Sequence, residues 1–456
     1  MRSPETSGVR AWRWLLENEL RELSASRSYW LLILVIGALV GHALMTSTEL
    51  YAEASGIGGG ASALSQGLSP LEGIVVPTLG VYDLAATLLF PFVVIRLVAS
   101  EKQSGALSLS LQAPAAFGEV IAAKAMALIV AWLVAGIAGA VALGLWASMG
   151  GHLGAAETST VVLGHVLRGV LTIGVSAAAG ALAASAASAA IIALTITLGT
   201  WALDYVAAAR GGAIAAIAEY TPSAALRVFE HGELRVATVL ILLTLGSAGL
   251  VCAAVWLQDG KPIQRRAISL GAVAVVTVLV CLAFAQIRAS RDVSEDRRNS
   301  FPRADETALR AIDKPLRITV NLAAEDPRLT DLERGVLAKL RRTMRRVTVS
   351  YGATSRSGLF EKQNDQYGEV WYDLDGKREM TRSTTQPIVL ETIYRLAARQ
   401  PPTPSDDKPY TGYPLAARAT LAPWIFFLVW PLCVGMTWWW LRRPRLLRIR
   451  TFGEQS

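Results

Sequence analysis

The chain has 456 residues, of which 52% are hydrophobic and only 18% charged, against roughly 25% charged in an ordinary soluble chain. Its charges are concentrated: 42 of the 80 (23 basic, 19 acidic) fall between Ala289 and Arg418. That distribution excludes a soluble multidomain enzyme and a disordered or collagen-like chain. It predicts an α-helical polytopic membrane protein of about eight spans with a small extracytoplasmic α/β domain.

The first predicted element is an amphipathic helix over Val9–Leu23, within a cytoplasmic segment 1–28. Trp12, Leu15, Leu16, Leu20 and Leu23 recur at helical spacing, with Arg13, Glu17, Arg21 and Glu22 between them. Such a helix lies in the plane of the membrane interface, in contact with lipid. No cleavable leader is expected, because the first long apolar run starts only at Tyr29.

A helix crossing a hydrocarbon core of about 30 Å needs about 20 mostly apolar residues. Eight stretches qualify: Tyr29–Ser47, Asp83–Ala99, Val120–Met149, Thr158–Ala184, Ala187–Ala208, Leu234–Leu257, Ala267–Ile287 and Leu421–Leu441. They divide the chain into a six-span unit (29–257), a link with a seventh span (258–288), the insert (289–418), an eighth span (419–441) and a basic tail (442–456). Cys252, Cys281 and Cys433 all lie in apolar runs and read as packing residues.

Basic residues fix the sidedness. The tail carries Arg442, Arg443, Arg445, Arg448 and Arg450, and the link between the sixth and seventh spans carries Lys261, Arg265 and Arg266. Thr48–Tyr82 and Gly150–Glu157 have no Lys or Arg. Lys and Arg resist translocation, so both termini are expected in the cytoplasm and the insert outside the plasma (inner) membrane of a bacterial cell. The same rule accounts for the net charge of +8 without a nucleic acid. Thr48–Tyr82 and Ala209–Glu233 read as outside loops.

In the insert, Leu316–Leu322 alternates like a half-buried strand. Asp326–Arg346 has helical spacing, and Val347–Tyr351 is a second strand. Gly368–Leu374 and Arg378–Ser383 bracket the turn Asp375-Gly376, and Pro387–Ala398 is a second helix. Gln400–Pro414, with five prolines, is a stiff link back to the membrane. The Arg341–Arg346 cluster reads as a solvated helix face.

No phosphate loop ending in Gly-Lys-Ser/Thr occurs, nor His-Glu-x-x-His, nor Gly-x-Ser-x-Gly. The four histidines are scattered, so no metal, cofactor or catalytic site is expected, and the chain does not read as an enzyme. The informative stretch follows the second span: Glu101-Lys102-Gln103-Ser104-Gly105-Ala106-Leu107, then Ala113-Pro114 and Lys124. On its residues alone it is a short polar–apolar helix at the inner surface, ended by Pro114.

This stretch resembles the cytoplasmic coupling loop of type-2 ABC exporter permeases. Ala106 stands where that family usually has Thr and Ala123 where it usually has Gly. The resemblance covers roughly residues 8–257 and implies that loop 101–118 docks into a separate ATPase subunit, with Glu101, Lys102, Gly105, Leu107 and Pro114 as contacts. It also implies a homodimer or a paired permease. Residues 267–441 are similar to the span–outside domain–span auxiliary unit of gliding-motility-type ABC systems, through Lys314–Val320, Tyr367–Val370, Arg382-Ser383 and Ile388–Leu396. The expectation is a permease subunit of an ATP-driven exporter. The alternative is a component that passes ATPase-driven motion to an extracytoplasmic protein partner without moving a solute.

Ionisable groups inside spans are rare and point to function. Arg96 is close enough to the inner surface to snorkel. Arg168 in the fourth span and Asp204 in the fifth read as interface anchors, with a pair on antiparallel helices facing the outer half of a pathway as the alternative. For sidedness, a single cysteine at Ser357, with Cys252, Cys281 and Cys433 replaced, should react with a membrane-impermeant maleimide in intact cells. One at Ser456 should not, and the reverse pattern would invert the orientation.

Overall fold

The computed structural model describes residues 5–55, 69–104, 117–210, 214, 218, 220–258, 261–323, 326–352, 366–403, 412–413, 415 and 418–442. The protein is an α-helical, multi-pass membrane protein with a small α/β domain. Among the described residues, eight helices are long and apolar enough to cross a bilayer: Arg27–Ala54, Leu71–Val98, Glu119–Ser148, Ala155–Leu182, Ala186–Ala207, Val236–Trp256, Ile263–Ala285 and Ala422–Arg442.

Seven of these match the expected spans closely. The second does not. It begins twelve residues before Asp83, with a π-helical turn at Leu71–Val75, and continues as one helix over Val76–Ser104. The first span also runs on to Ala54, so much of the expected loop Thr48–Tyr82 is helix. The extension is apolar enough to be buried, as Leu71, Ile74, Val75 and Leu79 are. Its one charge, Glu72, sits in the first turn, where the helix dipole favours an anion. The consequence is large: Asp83 lies near the middle of its span and not at its end.

The fourth and fifth spans are separated only by residues 183–185. Ser185 Oγ accepts from the Ser188 backbone N–H at 3.2 Å and starts the new helix.

Between helices in lipid, close approach depends on small residues. The fourth and sixth spans cross through Gly174, Gly246 and Gly249: a Cβ on Gly174 would stand 2.2 Å from the Gly246 carbonyl oxygen. The eighth span packs on the first, where Gly37 and Gly41 leave space for Trp430 and Phe426. Trp430 Nε1 donates to the Ile33 carbonyl at 3.1 Å, and Arg442 to that of Ala25 at 3.1 Å. The seventh span packs on the sixth instead and buries none of its residues. The last two spans thus join the six-helix bundle at different members.

The amphipathic segment forms a helix over Glu5–Ala25. Leu15 and Leu23 are buried, and Leu15 packs with Val120 and Ala123 of the third span. The contact is fixed by a buried ion pair, Lys124 Nζ to Glu19 Oε1 at 2.7 Å.

The α/β domain is built around a four-stranded sheet in the order β4-β3-β5-β6. β3 (Leu316–Val320) lies parallel to β4 (Val347–Tyr351) and antiparallel to β5 (Val370–Leu374), which forms a hairpin with β6 (Lys377–Thr381). Asp375 and Gly376 both take positive φ in that hairpin's turn. Leu316, Ile318, Val320, Val370, Tyr372 and Leu374 point to one face. Helices Pro327–Thr343, with a π turn at Glu333–Leu337, and Gln386–Leu396 cover it. Two elements were not expected. A helix spans Arg303–Arg310, and a two-stranded pair joins β1 (Glu233–Arg235) to β2 (Ser290–Asp292). In the Gln386–Leu396 helix, Ile388 is exposed and not on the apolar face.

Gly174→Leu should force the fourth and sixth spans apart, at a cost of about 1–3 kcal/mol, read as a lower unfolding temperature in detergent. Gly271→Leu, on the seventh span where a Cβ meets open space, should leave it unchanged.

Candidate functional site

The second and fourth spans each carry ionisable side chains at mid-length. Asp83 is the thirteenth residue of Leu71–Val98. His165 and Arg168 are the eleventh and fourteenth of Ala155–Leu182. At 1.5 Å per residue, these groups lie about 15–20 Å from the nearer helix end. All three side chains are at least about nine-tenths buried. One Asp83 oxygen stands 3.6 Å from His165 Nδ1 and the other 3.8 Å from Arg168 Nε. Tyr82 presents its ring edge-on to His165 and donates its hydroxyl to the Trp132 carbonyl at 3.2 Å. Trp132 in turn packs edge-on against Phe90. Aromatic side chains thus wall the charges off from lipid.

The cluster has spare hydrogen-bonding capacity. Asp83 Oδ1 and both nitrogens of His165 have no hydrogen-bond partner among the described residues, nor do the buried hydroxyls of Thr78 and Thr87 on the second span and Ser176 on the fourth. Thr87 lies one turn from Asp83. Pro91, within the same helix, has no N–H to give to the Thr87 carbonyl.

A short helix closes the cluster from the side. Thr221 caps Pro222–Glu230 by accepting from the Ala224 backbone N–H at 3.1 Å, and Pro222 occupies the first turn. Its Phe229 occupies the space left by Gly164 of the fourth span. The sequence placed this segment in an outside loop; it packs instead along the fourth span. Arg168 and Asp204 therefore do not pair with each other, and each has its own partners. Arg168 faces Asp83 and donates to Ser223 Oγ at 3.4 Å. Asp204 accepts from Thr221 at 2.7 Å and from Arg227 at 3.0 Å. Both ions lie on the helices expected, and the short helix supplies partners to each.

From its C-terminal end a line of charges runs to the α/β domain. Burial raises the Glu230 carboxyl above its usual range, with charge contributions from His165, Asp83, His231 and Arg227. His231 Nδ1 stands 3.7 Å from Glu72, and Glu72 pairs with Arg298. Arg298 also bonds Asp296 at 2.8 Å and donates to Ser69 Oγ. The Glu295 backbone N–H donates to Glu157 at 3.1 Å, and the Glu295 carboxylate meets His152 at 2.8 Å. Glu233 of β1 receives Arg235 and, at 2.8 Å, Arg342 from the domain's long helix. Burial works to raise the Glu233 carboxyl, but the two guanidiniums outweigh it and hold it below the usual range. Its contribution is therefore present above the ordinary carboxylate range and lost on acidification. Arg342 is thus not part of a solvated face.

The loop residues singled out by sequence are placed only in part. Glu101 and Lys102 fall on the helical end of Val76–Ser104, with their side chains outside the described residues, as are Gly105, Leu107 and Pro114 altogether. The helix carrying the loop is continuous with the one carrying Asp83. Asp83 and His165 were not singled out, although an Asp inside an apolar run is a readable signal once the span is drawn from Leu71. Among the described residues no three His, Cys, Asp or Glu side chains are arranged to hold a metal ion. Neither family models, curated proteins nor solved structures give a match to this chain.

Arg298→Ala should cost more stability than Glu72→Gln. It strips three groups at once, whereas Glu72 is 44% exposed on its side chain and partly screened. A loss of about 1–3 kcal/mol for Arg298→Ala, with earlier proteolytic cutting between residues 289 and 418, is the expected result. Equal effects of the two substitutions would show that the clasp does not depend on Arg298.

Proposed function

We propose that the chain is the membrane subunit of an ATP-driven ABC exporter, coupled to a separate ATPase subunit through loop 101–118. The bacterial plasma membrane houses it, with both termini in the cytoplasm and the α/β domain outside. The observation that carries this reading is the second span. One helix, Val76–Ser104, leads directly into the segment that resembles a coupling loop, and its mid-length residue Asp83 enters the buried charge cluster. A push on the loop would therefore be delivered to the centre of the bundle. The Glu5–Ala25 helix, stapled to the third span by Lys124 and Glu19, gives the partner a firm second footing at the same end. Pairing with a second permease, as a homodimer or with a similar subunit, completes the two-fold arrangement that two coupling loops require.

A second reading has its own support. The turn that begins the second span is held to the domain by Glu72 and Arg298. Movement of this helix would then reach the domain directly, and the subunit would transmit force to an outside protein partner without carrying a solute. A reconstituted complex separates the two: ATP hydrolysis stimulated by a small-molecule or lipid substrate favours export, and hydrolysis that responds only to an outside protein favours transmission.

The shared core of both readings has one test. Glu101→Ala combined with Gly105→Pro should leave expression in the membrane intact and remove co-purification with an ABC ATPase subunit. An undiminished yield of ATPase in the pull-down would overturn the coupling assignment.

A further inference from the structure

The buried cluster has a chemistry that the export reading does not use. Asp83 and Arg168 are opposite charges 3.8 Å apart. His165 adds a third group that can carry a charge, 3.6 Å from the other Asp83 oxygen and just beyond hydrogen-bond distance. A histidine with only 3% of its surface exposed ordinarily donates from one nitrogen and accepts at the other. Here neither nitrogen has a hydrogen-bond partner among the described residues, and neither has Asp83 Oδ1, which His165 Nδ1 faces. A neutral ring keeps one nitrogen as an acceptor; a proton added there makes the ring an imidazolium and its 3.6 Å contact with the orphaned carboxylate oxygen a charged one. The site thus offers a proton an acceptor nitrogen beside a carboxylate.

The surroundings favour that ligand over others. The second span brings Asp83 and the uncharged Tyr82, and the fourth brings Arg168 beside His165 itself. The short helix ends in Glu230, whose carboxyl burial raises above its usual range. Asp204 of the fifth span and Arg227 are bound to each other. The third span's two charges, Glu119 and Lys124, lie near its start, and the sixth carries no Asp, Glu, Lys, Arg or His. Asp83 is opposed by Arg168, and no cluster of three His, Cys, Asp or Glu side chains that could hold a metal ion occurs among the described residues. Beyond Glu230, His231 stands 3.7 Å from Glu72, toward the α/β-domain end.

We propose that Asp83, His165 and Arg168 form a proton-binding site at mid-membrane depth, with His165 as the acceptor, so that protons are a ligand of this subunit. The proton adds to a ring nitrogen lone pair and leaves again to Asp83 or to water; no other bond changes. This goes beyond the ATPase-coupling proposal and does not depend on it.

The test uses the full chain in lipid nanodiscs, without an ATPase. With only four histidines in the protein, isotope labelling of histidine gives four ring signals by NMR. Replacing His42, His152 and His231 by Gln one at a time identifies the fourth as His165, even if His165→Gln does not fold. The expected result is a His165 signal that moves as pH is taken from about 8.5 to 4.5, with a midpoint displaced to lower pH in Asp83→Asn, since it removes a negative neighbour. A His165 signal that stays fixed across that range overturns the proposal. So does a midpoint unaffected by Asp83→Asn, which would show a histidine titrating apart from the cluster.

Discussion

A charge in the middle of a bilayer has to be enclosed by protein, and the arrangement of this bundle follows from that requirement. Asp83 and Arg168 sit at the centres of two spans, where an isolated charge costs several kcal/mol. The two helices therefore have to face one another at that depth. Tyr82, Trp132 and Phe90 form the wall on one side. On another side, the Pro222–Glu230 helix lays Ser223 against Arg168 and Phe229 against Gly164. The glycines of the fourth and sixth spans draw the sixth helix close behind. A segment that looks like a connecting loop is thereby drawn along the fourth span.

The second span gains its importance from length as well as from charge. Its two ends meet different parts of the protein: the opening turn holds Arg298 through Glu72, and the last turn enters residues 105–116. Helices are stiff on the scale of a bilayer, so displacement at one end is felt at the other. Pro91 is a built-in weak point, because it removes the backbone hydrogen bond to Thr87, one to two turns beyond Asp83. Asp83 and Glu72 both precede Pro91, so a bend there would move them together relative to the last turns of the helix.

Much of this fold was legible in the sequence, for particular reasons. Seven spans declared themselves because each is a continuous apolar run bounded by charge or glycine. The strands and helices of the α/β domain followed from alternation in Leu316–Val320, helical spacing after Asp326 and the Asp375-Gly376 turn. The second span was misjudged because Asp83 looks like the polar residue at which a span begins. An ionisable residue that marks an end in most sequences is here at the centre of the buried charge cluster. The partners of Arg168 and Asp204 were illegible for a related reason. They come from Ser223, Thr221 and Arg227, in a stretch whose composition is that of a loop. Short capped helices are fixed by tertiary packing, which no local pattern records. The β1–β2 pair is three residues a side and joins segments on either side of two spans, which is beyond the reach of periodicity.

How the α/β domain is held bears on what it does. Its two covalent tethers are the seventh and eighth spans, and a domain hung only on these would move independently of the bundle. Its attachments lie elsewhere. β2 pairs with β1, directly before the sixth span. Arg342 of the domain reaches Glu233 on the same strand. Arg298 grips the start of the second span. The returning segment is held as well: Tyr413 stacks on His152 with ring centroids 3.8 Å apart, and its carbonyl accepts from the Tyr51 hydroxyl at 2.8 Å. These contacts engage the first, second and sixth spans and the segment between the third and fourth, whereas the seventh span buries nothing. The domain is therefore mounted on the bundle and not merely tethered to it, and a change in how the second and fourth spans meet at Asp83 has a short polar route to its surface.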